Sequence, residues 1–454
     1  MVKVHFLGAS GTVTGSKFYL EADEKNILID CGLFQGRKDL RVSNWEPLPV
    51  SAPLIDIVLL THGHLDHTGY LPRLVKAGFK GEIIGTAPTL AITKIILMDS
   101  AKINEEEAEM ANREGYSKHK PALPLYSIED AEKAITLFRA EPENQWVQLS
   151  ENIRYKFRYN GHIIGSTFIE LEISGKLFLF SGDVGRPNDI LLDPPVQPEW
   201  ADFLFVESTY GNKLHPQHNI EERLVTLVNK TIYERGILLI PSFAVERLQS
   251  LMYIFWKLYK KNKIPNIPIF IDSPMGNNVL SIFERFPKWH KLSLKEYYAM
   301  CDHVHIIDSY KKTWETIDDP RPKIVIAGSG MVTGGRILTY LRQFLEKTNT
   351  NVLLVGFMAE GTRGRALLEG VQELKIFGKF YSVKASIHHE ESLSAHADQK
   401  ELLDWMSSIK NIPERVFLIH GERDALEGFK EQIEDIYKWN VHIPNLYETI
   451  ELTF

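Results

Sequence analysis

The segment Thr61-His62-Gly63-His64-Leu65-Asp66-His67-Thr68-Gly69 constrains this chain more than any other feature. It follows directly on the apolar run at residues 54–60, which reads as a buried strand. Three histidines and an aspartate within residues 62–67 are dense for a solvent loop. Imidazole nitrogens and carboxylate oxygens suit zinc and similar divalent ions. The preceding strand and the helix-breaking Gly63 place all four side chains at one rim. One loop cannot complete two metal shells, so further ligands must come from elsewhere in the chain.

Three other segments offer such groups. Gly161-His162-Ile163-Ile164-Gly165 places a lone histidine between strands, where a hydrogen-bonded core histidine is the competing reading. Ser181-Gly182-Asp183 follows the apolar run at 177–180, and an aspartate there can simply cap its own turn. Ile419-His420-Gly421-Glu422 again ends a strand. Singly each is ambiguous. Their shared place at strand ends raises them together, because such ends form the active rim of layered α/β folds.

The texture along the chain divides it. Short strands are expected at 18–20, 26–29, 153–159, 167–173 and 177–180, with a long helix at 87–112 whose Glu105-Glu106-Glu107 reads as a solvated face. From Thr209, helices alternate with apolar strands at 237–240, 267–271, 323–327 and 352–355, the pattern of βαβ units and a parallel sheet. Strands return near 380–385 and 416–419, so the second domain reads as inserted in the first. Only Cys31 and Cys301 are present, too few for a disulfide framework, and a reducing, cytoplasmic setting fits. No segment is long and apolar enough to span a membrane, and a membrane partner is not expected.

The loop of the form HxHxDH, followed by a separate histidine and aspartate, resembles the metallo-β-lactamase fold. Val206-Glu207-Ser208-Thr209-Tyr210-Gly211, Leu393-Ser394-Ala395-His396-Ala397-Asp398 and Ile419-His420-Gly421-Glu422 resemble its β-CASP branch of nucleases, as do Asp272-Ser273-Pro274-Met275 and Gly328-Ser329-Gly330-Met331. The resemblance covers essentially the whole chain, in order. It implies an αβ/βα sandwich at residues 1–208 and 374–454, with a Rossmann-like β-CASP domain inserted at 209–373. It further implies two zinc ions per chain, the first on His62, His64 and His162 with Asp183 bridging. The second would take Asp66, His67, Asp183 and His420, and its oxygen-rich shell would also suit manganese. Asp30 would orient a ligand histidine, although a strand-end aspartate making a turn is an equal reading. Gly63 stands where many relatives have alanine, an exchange expected to matter little.

The chemistry agrees with the resemblance. Two cations about 3.5–4 Å apart can share a hydroxide and clamp a phosphodiester during in-line displacement. Asp66 and Asp183 belong to that machinery, and His396 is the candidate general acid for the departing oxygen. Glu207 would hold the other imidazole nitrogen and favour its protonated form. Asp398 reads as a structural turn. Ser329, Gly330 and Arg336 in the loop 328–336, and Arg363 and Arg365 at a helix start, are candidate phosphate contacts, against tight-turn and solvated-charge readings. The first of these loops misses the dinucleotide pattern because Thr333 stands where its third glycine belongs, which excludes a nicotinamide site. His215 and His218 read as loop or capping residues, and His388-His389 stay open.

Three functions compete. A zinc-dependent ribonuclease on single-stranded RNA, endo- or 5′-to-3′ exonucleolytic, is favoured by His420: in the family this position is histidine in RNA-acting members and typically valine in DNA-processing ones. A thioester or lactone hydrolase explains the metal ligands but neither the insert nor the Glu207/His396 pair. A catalytically dead RNA-processing scaffold would usually have lost ligands. The active site is expected in the cleft between the domains, and the reading is compatible with a homodimer. Taken whole, the charge opposes RNA, with 52 Lys+Arg against 59 Asp+Glu, net −7. The average hides an uneven distribution: residues 209–373 carry 22 Lys+Arg against 16 Asp+Glu, or +6, leaving −13 for the rest. RNA binding should therefore be local and modest in salt dependence.

Overall fold

Alternation of apolar and polar residues in Val2–Phe6 buries Val2, Val4 and Phe6 on one side, the period of a strand with one face in a core. A computed structural model of the chain describes residues 1–115, 119–216 and 219–454 and builds this strand into a seven-stranded sheet. The order is Thr449–Leu452, Val2–Phe6, Phe18–Ala22, Lys25–Ile29, Ile57–Leu59, Glu82–Gly85 and Phe138–Ala140. Its first three pairings are antiparallel and its last three parallel.

A second seven-stranded sheet runs Val441–His442, Arg415–Ile419, Phe203–Glu207, Lys176–Phe180, Thr167–Ile173, Ile153–Tyr159 and Val147–Gln148. The two sheets face each other across one apolar layer containing Val4, Phe6, Phe18, Ile29, Phe157, Phe180, Phe205 and Phe417. Phe205 stacks on Phe180 and Phe417 with ring centres 4.2 and 4.6 Å apart. Each such buried ring contributes roughly 1.5–3 kcal/mol. The outer face of the first sheet is covered by Leu71–Lys76, Ala87–Glu114 and Ile128–Ile135. Gln399–Met406 and Arg423–Ile436 cover the outer face of the second. The result is the four-layer αβ/βα sandwich.

Met1–Leu214 and His396–Phe454 form this unit, and His215–Ala395 forms the other. The inserted unit has a six-stranded sheet in the order His305–Ile306, Ile269–Asp272, Lys323–Ala327, Ile237–Pro241, Thr350–Val355 and Ser386–Glu390. All its pairings are parallel, and its central strands are buried on both faces, as helix-covered parallel sheets require. A separate hairpin joins Glu373–Ile376 to Lys379–Ser382.

The boundary expected at 373/374 is therefore corrected to Ala395/His396. Ser386–Glu390 pairs with Thr350–Val355, so the insert's sheet needs this later strand as its edge. The first boundary moves from 208/209 to Leu214/His215. Among the described residues, no helix is long and apolar enough to cross a membrane.

Candidate metal centre

The ligand candidates sit where strands of the two facing sheets end. Ile57–Leu59 leads through Thr61 to His62; His64 precedes the short helix Leu65–Thr68, which carries Asp66 and His67. Ile153–Tyr159 leads to His162, Lys176–Phe180 to Asp183, and Arg415–Ile419 to His420. His420 has φ +50°, and its N–H donates to the Ala9 carbonyl at 2.7 Å, which turns the imidazole out of the strand direction.

One group of atoms comprises His62 Nε2, His64 Nδ1, His162 Nε2 and Asp183 Oδ2. The His64 nitrogen lies 3.1 Å from that of His62 and 3.2 Å from that of His162. Asp183 Oδ2 lies 3.4 and 3.5 Å from His62 and His162. Two ligands on a tetrahedral ion at about 2.0–2.1 Å stand about 3.3–3.4 Å apart, so the spacing fits a zinc shell. The second group is Asp66, His67 and His420, with Asp183 Oδ1 beside it. His67 Nε2 is 3.3 Å from His420 Nε2 and 3.3 Å from Asp183 Oδ1, and His420 Nε2 is 3.5 Å from Asp66 Oδ2. Asp183 Oδ1 is buried and accepts no hydrogen bond among the described residues. A buried carboxylate oxygen in that position fits a cation.

Protonation follows the same logic. Burial, reinforced by the neighbouring His67 charge, pushes His62 well below its ordinary pKa, and burial takes His64 down to about 4. Both are thus held in the neutral form that ligates metal. Burial also opposes a charge on His67, but Asp183 and Asp30 outweigh it and raise its pKa well above the usual value. The carboxylates here call for positive charge, which a cation supplies in place of a proton.

Asp30, at φ +57°, fixes this corner. Its Oδ2 accepts from His67 Nδ1 at 2.8 Å and from the Thr61 hydroxyl at 2.7 Å, and its Oδ1 accepts from the Thr61 N–H at 2.8 Å. The sequence reading missed Thr61, Thr209, Asn160 and Lys17. Thr61 Oγ1 lies 3.1 Å from His62 Nδ1, and Thr209 Oγ1 3.1 Å from His420 Nδ1. Asn160 Nδ2 donates to the Ser181 and Asp183 carbonyls at 2.9 and 2.8 Å and fixes the turn carrying Asp183. For Thr61, Asn160 and Thr209, adjacency to the quoted motifs was the available signal.

Lys17 is buried, donating from Nζ to the Gly15 and Gly32 carbonyls at 2.9 and 2.6 Å. Burial lowers its pKa to about 8. Gly32 itself lies against the Asp66 carbonyl so closely that a Cβ would fall 1.6 Å from that oxygen. Gly63 also proves to matter: a Cβ there would meet Ile92 Cγ2 at 2.6 Å, so the expectation that alanine is interchangeable at this position does not hold in this packing.

His396 Nδ1 lies 3.2 and 3.1 Å from the two Glu207 oxygens, and its Nε2 lies 4.0 Å from Asp183 Oδ2. Burial opposes its protonation, but Glu207 prevails and raises its pKa to about 8. Glu207 is buried and also accepts from the Val184 N–H at 2.6 Å. Asp398 caps Gln399–Met406 in a reciprocal box with Glu401.

The candidate phosphate contacts are occupied within the insert. Ser329 Oγ accepts from the Thr333 and Gly334 N–H groups at 3.0 and 3.1 Å, closing the loop on itself. A Cβ on Gly330 would meet the Phe243 ring at 2.5 Å, so this glycine serves packing. Arg336 pairs with the buried Asp272 at 3.4 Å, bonds Thr313 and covers the Tyr310 ring at 4.7 Å. Arg363 donates to the Lys375 and Thr333 carbonyls at 2.7 and 2.9 Å, and Arg365 pairs with Glu369 at 2.8 Å. Each of these arginines thus has at least one local acceptor. His388 and His389 bond Asn351 and the Gly356 carbonyl, each at 3.0 Å. His218 lies outside the described residues.

Residues 11–226 match the metallo-beta-lactamase superfamily, 248–367 the Beta-Casp domain, and 381–444 the Zn-dependent metallo-hydrolase RNA specificity domain. Ribonuclease TTHA0252 of Thermus thermophilus is 32% identical over 92% of this chain and 93% of its own length. Transcription termination factor FttA of Methanocaldococcus jannaschii is 27% identical over 99% of this chain and 72% of its own. A protein of unknown function from Enterococcus faecalis has the same fold, with a TM-score of 0.53 at 14% identity over 99% of this chain and 100% of that one. The geometry and these matches place the chain in the metallo-β-lactamase, β-CASP family of metal-dependent nuclease hydrolases.

Proposed function

We propose that the protein is a zinc-dependent ribonuclease hydrolysing phosphodiester bonds of single-stranded RNA, with two metal ions per chain. The observation that carries the reading is Asp183: its two oxygens face two separate ligand groups, and the His396–Glu207 pair stands beside it. The ribonuclease named among the relatives and the match to an RNA specificity domain support RNA as substrate. So does histidine at position 420. Manganese at the second group is a variant of the same reading.

His62, His64 and His162 would hold one ion and Asp66, His67 and His420 the other, with Asp183 between. Bound zinc supplies a lowered pKa for water and a Lewis acid for a phosphoryl oxygen. The chain does the remaining work. Asp30 fixes the His67 ring through Nδ1 and leaves Nε2 for ligation. Glu207 holds His396 protonated at Nδ1, and Nε2 can donate its proton to the departing ribose oxygen. Both cysteines are free thiols, which accords with the proposed cytoplasmic setting.

The test is product mapping on end-labelled single-stranded RNA, single-stranded DNA and blunt duplex RNA, with metal content measured on the same protein. Zinc-dependent cleavage of single-stranded RNA, abolished in Asp183→Ala together with metal binding, is expected. Preference for DNA, or equal cutting of the duplex, would overturn the reading. Fewer than two bound ions after zinc loading would overturn the two-metal part.

A further inference from the structure

The inserted unit carries a strip of aromatic rings and cations that no part of the metal centre uses. Its hairpin turns at Phe377-Gly378, with φ of +47° and +80°. Such a turn favours Asn-Gly, because a bulky side chain is strained at positive φ. Phe377 nevertheless sits there with 52% of its surface exposed, and Phe380 on the next strand is 63% exposed. Backbone preference opposes Phe377 and solvation opposes both rings, so hairpin folding alone does not explain the pair.

The surroundings suggest what would. Arg342 lies 5.9 Å from the Phe377 ring and 5.7 Å from the Trp314 ring, and Trp314 is 6.4 Å from Tyr310, which is 49% exposed. Lys375, the cross-strand partner of Phe380, lies 5.7 Å from that ring. Rings and cations therefore alternate along one strip. Arg342, Lys375 and Lys379 accompany the hairpin against Glu346 and Glu373. The whole unit, residues 215–395, carries 24 Lys+Arg against 18 Asp+Glu, or +6. Rings accept unpaired bases by stacking while interleaved cations neutralise the phosphates, a combination suited to single strands.

We infer that this strip, centred on Phe377 and Phe380, is an accessory binding surface for single-stranded RNA. The inference rests on the ribonuclease reading for the identity of its ligand. It deepens that reading by assigning part of the RNA affinity to the insert rather than to the metal centre.

The test measures binding of a labelled phosphorothioate oligouridine, separately from hydrolysis of bis-p-nitrophenyl phosphate, which is too small to use the strip. Phe377→Asn suits the positive φ and Phe380→Thr suits the strand, so the double variant should fold. It should bind oligouridine at least about tenfold more weakly, bind inorganic polyphosphate as the wild type does, and hydrolyse the small ester unchanged. Phe380→Tyr, which keeps a ring, should retain wild-type binding. Arg342→Gln should weaken oligouridine and polyphosphate alike and lower the salt slope by about 0.7.

Wild-type oligouridine affinity in the double variant would overturn the inference. So would an equal loss of polyphosphate binding, which would leave charge alone, or conversion of a dimer to a monomer, which would make the rings an interface with a second copy. If the wild type hydrolyses the small ester but cleaves no RNA, the ribonuclease reading fails. If it cleaves RNA and the double variant binds normally, only the strip fails.

Discussion

The rim of the sandwich and the Gly-rich loop of the insert look alike in sequence and behave differently in space. Both follow buried strands, and both gather polar residues between glycines. At the rim, His62, His162, Asp183 and His420 arrive from four separate strand ends and turn toward common points. Asp183 Oδ1 is left without a hydrogen-bond donor among the described residues. In the insert, Ser329 closes on its own loop, and Arg336 and Arg363 are taken up by Asp272 and by backbone carbonyls. Polar residues at strand ends make a reactive site only when separate elements converge and leave polar atoms that the fold itself does not satisfy.

The largest effect expected from this contrast is at His396. Replacement by alanine should lower kcat by about 100- to 10,000-fold on an RNA substrate while both metals remain bound. Loss of metal in that variant would make His396 a ligand and blur the division between ligands and acid. The next concerns Lys17, which is tied to the backbone around the rim. Its folded pKa of about 8 lies below the unfolded 10.5, so the unfolded chain binds the extra proton between those values. Wild-type stability should therefore rise through that window relative to Lys17→Met, by about 3 kcal/mol in full. Denaturant melts of both proteins at pH 7.5 and 10.5 measure the difference, and a constant gap would remove the buried ammonium from the account.

Asp30→Asn should weaken metal binding at the His67 position by about 10- to 100-fold, because the ring loses its carboxylate anchor. Competitive chelator titration resolves this, and unchanged affinity would return Asp30 to the status of a turn residue. The smallest effect is expected in the insert. Arg336→Ala should cost about 1 kcal/mol of stability, since Asp272 keeps Thr313 and Tyr340 as donors, with KM for RNA unchanged. A raised KM at unchanged stability would erase the distinction between the two loops.

Much of the architecture was legible before the structure. The continuous apolar runs at 237–240 and 323–327 specify two-sided burial by sequence pattern alone. The end of the insert was not legible, because Ser386–Glu390 carries two histidines and a glutamate and reads as polar. It joins the inserted sheet through backbone pairing, which side-chain patterning does not record. The ligand types were visible in the motifs, whereas Thr61, Asn160 and Lys17 were not, because their roles rest on hydrogen bonds to distant backbone or to a neighbouring ring.

By itself, the sequence determined which chemistries were available: imidazoles and carboxylates dense enough for metal, a histidine and a glutamate for proton transfer, and a basic insert within an acidic chain. Only the tertiary structure decided which of these groups meet. Asp183 lies between two ligand groups because Asn160 holds its turn, and His67 presents Nε2 because Asp30 holds Nδ1. Arg336 is taken up by Asp272, 64 residues away. Spacing along the chain fixes residue type and local conformation, while charge pairing and ligation act over a few ångströms between segments that only folding brings together.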